Sequence, residues 1–205
     1  MVKEKPLSQY FENDPSLKKD LRELTCWCGT RKLTFLTDSG VFSRTEIDDA
    51  SLFLVRGIPG ITGRVLDLGC GYGFIGIYTA VRNPGIELVQ CDVNEKAVEL
   101  CRKNCEANGV TSRTAVSDGF GSIEGKFDVI LLNPPIHAGK EVVTRLLEDS
   151  ILHLAENGTL YIVIRKKHGA ASVIEHLSSM AATQTVKKEK GIYLVSCTAE
   201  KGGSN

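Results

Sequence analysis

Between residues 65 and 73 the chain reads Val65-Leu66-Asp67-Leu68-Gly69-Cys70-Gly71-Tyr72-Gly73, an apolar run that breaks into three alternate glycines and then gives way to a helical pattern. Alternate glycines let a backbone turn sharply at the end of a strand and come close to a ligand. From this junction onward short apolar runs alternate with helical patterns, the signature of a parallel α/β sheet. The spacing predicts strands at Arg64–Asp67, Ile86–Asp92, Thr114–Val116, Phe127–Leu132 and Thr159–Ile164. It predicts helices at Gly73–Val81, Glu95–Asn108, Gly139–Ala155 and Ala170–Ala182, the second capped by Asn94 and ended by Asn108-Gly109. Thr183–Lys187 and Ile192–Thr198, joined by Lys188–Gly191, read as a hairpin that adds an antiparallel pair to the sheet edge.

The first 63 residues follow another pattern. Thr25–Cys28 and Lys32–Leu36, split by Gly29-Thr30, read as a small hairpin. Ser43-Arg44-Thr45-Glu46 is a capping box that opens a helix to about Arg56, before Pro59 and Gly60. The expected division is an N-terminal extension, residues 1–63, packed on a core of residues 64–200, with a flexible tail at 201–205. At 205 residues the chain can bury a core large enough to need no staples. Its 42% hydrophobic and 24% charged content excludes a disordered chain. The apolar run Leu160–Ile164 is far too short for a membrane span, and the first 17 residues lack the apolar stretch of a secretory signal. Seven cysteines without secretory context read as reduced thiols, so a cytoplasmic location is expected. The net charge is zero, yet residues 165–190 carry six Lys/Arg against two Asp/Glu, a basic segment that suits an anionic partner.

The glycine loop opens a helix whose free N–H groups and partial positive charge suit an anion; a tight turn that binds no ligand is its alternative role. Gly71-x-Gly73-x-x-Gly76 also fits a dinucleotide fingerprint, with Asp92 for a ribose. Two features oppose that reading: the extra Gly69 shifts the spacing, and a carboxylate at Asp67 would repel a pyrophosphate. Asp67 suits a ligand with an amino group, a sulfonium and a single carboxylate, which describes S-adenosylmethionine. Asp92, at the tip of the second strand, is placed to accept both ribose hydroxyls; capping the next helix is its alternative role. Asp118 is either an acceptor for an adenine amino group or an ordinary turn residue.

The fourth strand runs into Asn133-Pro134-Pro135-Ile136-His137. Two prolines fix the backbone and remove two donors, leaving nearby carbonyls free for a ligand. An exocyclic amine could give one hydrogen to the Asn133 side-chain oxygen and another to the Pro134 carbonyl, which aims its lone pair at a sulfonium methyl. Catalysis then rests on orientation and electrostatics, and a proton leaves after transfer.

Asp67-Leu68-Gly69-Cys70-Gly71-Tyr72-Gly73, Asp92 and Asn133-Pro134-Pro135 together resemble the class I S-adenosylmethionine-dependent methyltransferases. Thr37-Asp38-Ser39-Gly40-Val41-Phe42-Ser43, with Asn-Pro-Pro-Ile-His-Ala-Gly-Lys, looks like the "methyltransferase small" group, which includes ribosomal RNA guanine-N2 methyltransferases. The resemblance covers about Lys32 to Val195. It implies a doubly wound α/β fold with a mostly parallel seven-stranded sheet, order 3-2-1-4-5-7-6, strand 7 antiparallel. It also implies that the loop at Phe42 folds over the methionine end of the cofactor; Phe42 as a buried helix staple is the alternative. Asn133, Pro134 and Pro135 become the catalytic set. Asp67, Gly69, Gly71, Gly73, Asp92, Asp118 and Phe42 become the cofactor set.

Relatives usually carry an aromatic after Asn-Pro-Pro to stack on a flipped base, a contact worth about 1–3 kcal/mol. Here Ile136 stands there, which leaves Tyr72, Phe42 or His137 as platforms. His137 is otherwise a loop histidine. Arg165, Lys166 and Lys167, after the fifth strand, are either phosphate contacts or a solvated charge run. Cys26-x-Cys28 and Cys101-x-x-x-Cys105 do not have a usual zinc spacing, so no metal is expected. Trp27 faces substrate or packs. The function expected is methylation of an exocyclic amine in RNA, with guanine N2 of ribosomal RNA favoured and with RNA or a ribosomal subunit as partner of a monomer or homodimer. Adenine N6, a protein glutamine amide, and an RNA-binding module without turnover remain as alternatives.

Overall fold

The computed structural model describes residues 21–43 and 45–198, so the tail expected at 201–205 lies outside the described residues. The chain opens with a hairpin, β1 (Arg22–Cys28) and β2 (Arg31–Thr37), turned by Gly29 at φ 60° and Thr30. Helix α1 (Asp49–Gly57) follows, and then β3 (Arg64–Leu68), α2 (Phe74–Arg82), β4 (Glu87–Asp92), α3 (Glu95–Ala107) and β5 (Arg113–Val116). The second half is β6 (Phe127–Leu132), α4 (Lys140–Leu152), β7 (Leu154–Arg165), α5 (Ala170–Ser178), β8 (Ala182–Glu189) and β9 (Ile192–Thr198).

Seven strands form one sheet in the order β5-β4-β3-β6-β7-β9-β8. Pairings from β5 to β7 are parallel; β9 runs antiparallel to both β7 and β8. Counted from β3, this is 3-2-1-4-5-7-6 with the last strand reversed, as the resemblance implies. The chain leaves β3 in one direction and returns to β6 on its other side, so the sheet has its topological switch point between these two strands. Open α/β sheets bind ligands in the crevice beyond the strand ends at that point.

Alternating side chains feed a core on each face. Val65, Leu88, Leu131 and Val163 pack with α1, α2, α3 and the hairpin; Leu66, Val89, Ile130 and Ile162 pack with α4 and α5. Leu33, Phe35, Leu54 and Val55 belong to the first of these clusters. Position 63 therefore marks a change of sequence pattern and leaves no gap in the packing. Among the described residues no helix is long and apolar enough to cross a membrane.

Several element boundaries differ from expectation: β1 starts at Arg22 rather than Thr25, and α5 ends at Ser178 rather than Ala182, where β8 already begins. Helix α1 does not begin at the Ser43 box. Asp48 is its N-cap, accepting from Ser51 N at 2.8 Å, while Ser43 sits at φ 56° and its hydroxyl donates to the Glu46 carbonyl; Arg44 of that box lies outside the described residues. Helix α4 ends at Leu152 rather than Ala155, because β7 already starts at Leu154, paired with Phe127. The strand bulges where Asn157 takes φ 61°, which hides it from a reading of periodicity.

Candidate active site

The chemistry-bearing loops converge on one cavity of about 1230 Å³ at the carboxyl ends of β3, β4, β6 and β7. Of the residues singled out from the sequence, Gly69, Gly71, Tyr72, Asp92, Asp118, Phe42, Asn133, Pro134, Pro135, Ile136, His137 and Arg165 line it. Asp67, Gly73, Lys166 and Lys167 do not.

The glycine loop is held against β4 by Gly69 N and Cys70 N, which both donate to the Cys91 carbonyl at 2.8 and 2.9 Å. Gly69 and Gly71 have φ of 72° and 55°, and a Cβ on either would meet nothing within 4 Å, so both front open space. Gly73 is glycine for another reason. A Cβ there would lie 2.8 Å from Cys101 Sγ, so its bareness lets the loop press onto α3. Asp92 accepts from Gly71 N at 2.8 Å and Asn94 N at 2.9 Å, which fixes its carboxylate at the cavity edge with lone pairs to spare. Burial raises its pKa against the pull of these bonds. Asn94 caps α3 through Lys96 N and Ala97 N, so the cap and the β4 acid are neighbouring residues with separate duties.

Asp67 is corrected from ligand contact to buried cap. It shares its face of β3 with Val65, beneath α2 and wholly out of solvent. There it accepts from Gly76 N at 2.8 Å, satisfying a first-turn donor of α2 that N-terminal Gly73 has no side chain to reach. Burial pushes the Asp67 carboxyl up to about 7, opposed by the Gly76 bond and aided by the Asp92 charge.

Ahead of α1, the segment 38–43 is bolted to the start of α3. Asp38 forms an ion pair with Lys96 at 2.9 Å, Lys96 also donates to the Ser39 carbonyl, and Asn94 Nδ2 donates to the Gly40 carbonyl. Burial works against the Asp38 charge, but Lys96 and Ser39 outweigh it and hold its pKa below the ordinary value. This anchoring delivers Val41 and Phe42 to the cavity. Phe42 is 52% exposed, so it is a lining residue and not a buried staple. Tyr72 is 4% exposed with its ring edge-on to Phe35, which removes it as a free stacking platform.

Across the switch point, Asn133 stands at the tip of β6. Its Nδ2 donates to Asp48 Oδ2 at 3.1 Å and to Ser51 Oγ at 3.0 Å. The Pro134 carbonyl is not wholly free, because it accepts from Ile136 N at 2.9 Å across an inverse γ-turn with Pro135 at φ −75°, ψ 75°. One lone pair of that oxygen remains for a ligand. Ile136 is half-buried against the α4 side of the core, and the exposed His137 lies 6.2 Å, centroid to centroid, from His168. Arg165 is not part of a solvated run: its guanidinium donates to Asp48 Oδ1 at 3.1 Å inside the cavity. Lys166 and Lys167 lie outside the cavity, in a shallow depression shared with Lys190 on the β8–β9 turn. Asp118 lines the rim with its carboxylate engaged by Arg145 at 2.6 and 3.2 Å.

Sequence reasoning missed Asp48, Ser51 and Arg145 as lining residues, while His168, which follows Arg165-Lys166-Lys167 at the ligand-facing edge, does line the cavity. The signal for the first two was an Asp-x-x-Ser cap five residues beyond the box that drew attention. The cysteine pairs are not brought together: Cys26 is on β1, while Cys101 and Cys105 are buried on α3, where Gln90 Nε2 donates to both sulfurs. Among the described residues no cluster of His, Cys, Asp or Glu could hold a metal ion.

Comparison with known proteins matches residues 32–196 to the family described as "Methyltransferase small domain". The chain belongs to the methyltransferase small domain family. With the class I fold, this makes it a methyltransferase whose donor is S-adenosylmethionine. It is 41% identical to the uncharacterized protein YbxB of Bacillus subtilis (strain 168), over 91% of this chain and 96% of that one. It is 39% identical to ribosomal RNA small subunit methyltransferase C of Aeromonas hydrophila, over 67% of this chain and 42% of the relative. Among solved structures, the T. thermophilus 16S rRNA N2 G1207 methyltransferase (RsmC) in complex with AdoMet and guanosine superposes with TM-score 0.79 at 26% identity. That match covers 91% of this chain and 52% of the neighbour. The chain thus spans about half the length, or less, of these ribosomal RNA methyltransferases.

The cavity fits the donor on its own terms. Gly69 and Gly71 clear a cradle that any side chain would fill, and Asp92 presents a fixed carboxylate acceptor at its edge. The volume, about 1230 Å³, lies above the roughly 300–1,000 Å³ of an ordinary ligand pocket, which suits two molecules side by side.

Proposed function

We propose that this protein methylates the exocyclic N2 of a guanine in small-subunit ribosomal RNA. The observation that carries this reading is Asn133, whose amide nitrogen is already occupied by Asp48 and Ser51, so that its oxygen is the group left for an incoming amine. The RsmC neighbour, described with AdoMet and guanosine, supports guanine as the base. Gly69, Gly71, Asp92 and the segment with Phe42 hold the donor, which supplies an electrophilic methyl group. Asp118 receives the adenine end once Arg145 swings aside. Asn133 Oδ1 and the second lone pair of the Pro134 carbonyl accept the two amine hydrogens and turn the nitrogen lone pair toward the methyl group. Ile136 and Phe42 cover the base faces, with His137 and His168 at the rim. Lys166, Lys167 and Lys190 contact flanking phosphates. A ribosomal RNA substrate places the protein in the cytoplasm.

The test is incubation with methyl-labelled S-adenosylmethionine and separate RNA, DNA and protein fractions, followed by nucleoside analysis. Label as N2-methylguanosine in small-subunit RNA is the expected result. Label in N6-methyladenosine or in protein would assign the same site to a different amine, and no label in any fraction would leave a binding module.

A further inference from the structure

We infer that Asp48, assisted by Ser51 and Arg165, is the positioning residue that fixes which end of the Asn133 amide faces the substrate. The inference rests on the reading of Asn133 as acceptor of the target amine.

A carboxamide has two ends of nearly the same shape and opposite hydrogen-bonding character. Presented oxygen-first, Asn133 accepts the amine; presented nitrogen-first, it offers a second donor to a donor and repels it. The surroundings decide the outcome. Asp48 as a carboxylate can only accept, so the Asn133 end that meets Oδ2 must be the nitrogen. The Ser51 hydroxyl could play either part, but it donates its one hydrogen to Asp48 Oδ2 at 3.1 Å, which leaves it an acceptor toward Asn133. Both Nδ2 hydrogens therefore have partners, and Oδ1 is the free end. Arg165 donates to the other Asp48 oxygen from the end of β7, locking the carboxylate in that pose with a charge from across the cavity.

The same carboxylate caps α1 through Ser51 N. One side chain thus joins the fold of the N-terminal region to the polarity of the group at the tip of β6. Around metal centres, removing a residue that only orients a ligand costs about 10- to 100-fold in activity, and a loss of the same order is expected for a residue that orients Asn133.

The discriminating variant is Asp48→Ser, because serine is as good an N-cap as aspartate and keeps the helix, but it is short, uncharged and no longer restricted to accepting. Its melting temperature should stay close to wild type and S-adenosylmethionine affinity should be unchanged, while single-turnover methyl transfer falls 10- to 100-fold. In the double variant Asp48→Ser/Asn133→Ala the rate should equal that of Asn133→Ala, since the first change acts through the second residue. In the free protein, the side-chain NH₂ resonances of Asn133 should move and exchange faster with water in Asp48→Ser. A wild-type transfer rate in Asp48→Ser, or losses that add in full in the double variant, would overturn the inference. So would unmoved Asn133 NH₂ signals, a readout that needs no substrate. A wild-type rate in Asn133→Ala itself would instead count against the proposed function's mechanism.

Discussion

At the scale of single residues, one polar group that lines the cavity and one buried beneath it each make a prediction. Asn133→Ala removes one preorganised acceptor, a loss of about 10²–10³ in turnover where such contacts have been deleted. In the proposed site the donor rests on other residues, so calorimetry should find S-adenosylmethionine affinity nearly unchanged while single-turnover transfer collapses. Asn133→Asp would keep an acceptor but place a second carboxylate against Asp48, so its rate should fall between the two. The second group is Asp67. It faces Gln90 across paired strands in an apolar layer, and Asp67 Oδ1 and Gln90 Oε1 are both buried without a partner. Gly76 is glycine because a Cβ there would lie 2.0 Å from Gln90 Oε1 and 3.0 Å from Asp67 Oδ2. A proton retained on Asp67 relieves this crowd of acceptors, in keeping with its pKa near 7. The unfolded chain releases that proton near pH 4, so between about pH 4 and 7 the unfolded state binds fewer protons and stability falls as pH rises. Urea midpoints measured across that range should decline more steeply in wild type than in Asp67→Asn, and the two curves should run parallel above pH 7. Parallel curves throughout would mean that Asp67 is ionised in the fold.

At the scale of elements, the segment 38–43 shows how a loop becomes part of a site. Asp38 is 2% exposed, and its partner Lys96 reaches it from the first turn of α3. Lys96→Met strands a buried carboxylate and should cost about 2 kcal/mol, less than the 3–5 of a fully buried pair because water reaches the lysine. The same variant should weaken S-adenosylmethionine binding, since Val41 and Phe42 lose their anchor, while isosteric changes on the far side of α3 should not. A destabilised protein with unaltered cofactor affinity would separate the anchor from the site. The sheet was legible in advance because glycines, short apolar runs and helix caps are local signals: β3, β6, the Asn94 cap and the closing hairpin lie where the sequence puts them, to within a residue or two. The errors share one physical origin, which is that a distant partner overrides a local pattern. Ser43 satisfies the spacing of a capping box, yet Asp48 wins the cap because Arg165, 117 residues on, and Asn133 hold its carboxylate. Asp67 reads as a ligand contact from its place before the glycines, yet the pleat of β3 turns it inward. The stretch 156–158, left between the expected helix and the expected strand, is a bulge within β7, flanked by Leu154 and Thr159, which pair with Phe127 and Val129 of β6.

At the scale of the whole molecule, charge is laid out in two separate roles that the sequence presents as one run. Arg165, Lys166 and Lys167 are consecutive and all border an outer depression with Lys190, but only Arg165 also lines the cavity, where it spends its charge on Asp48. Lys166 N donates to the Gly191 carbonyl at 2.7 Å, so the turn after β7 is tied to the turn between β8 and β9 and the two present one basic face. An RNA strand entering the site would pass this face before its base reaches Asn133. Binding through phosphates releases counterions, and for a single strand the logarithm of affinity falls with the logarithm of salt by about 0.7 for each phosphate neutralised. Replacing Lys166, Lys167 and Lys190 together by alanine should therefore lower RNA affinity at low salt and shallow the slope by up to about 2. Arg165→Ala should leave the slope where it is, because that guanidinium is already neutralised within the protein, and should slow methyl transfer instead by loosening Asp48. Titrating each variant with ribosomal RNA fragments at several salt concentrations separates the two roles. An unchanged slope in the triple variant would return the outer lysines to the status of a solvated surface. A slope that shallows in Arg165→Ala would mean the Asp48 pair opens on binding and hands its cation to the RNA.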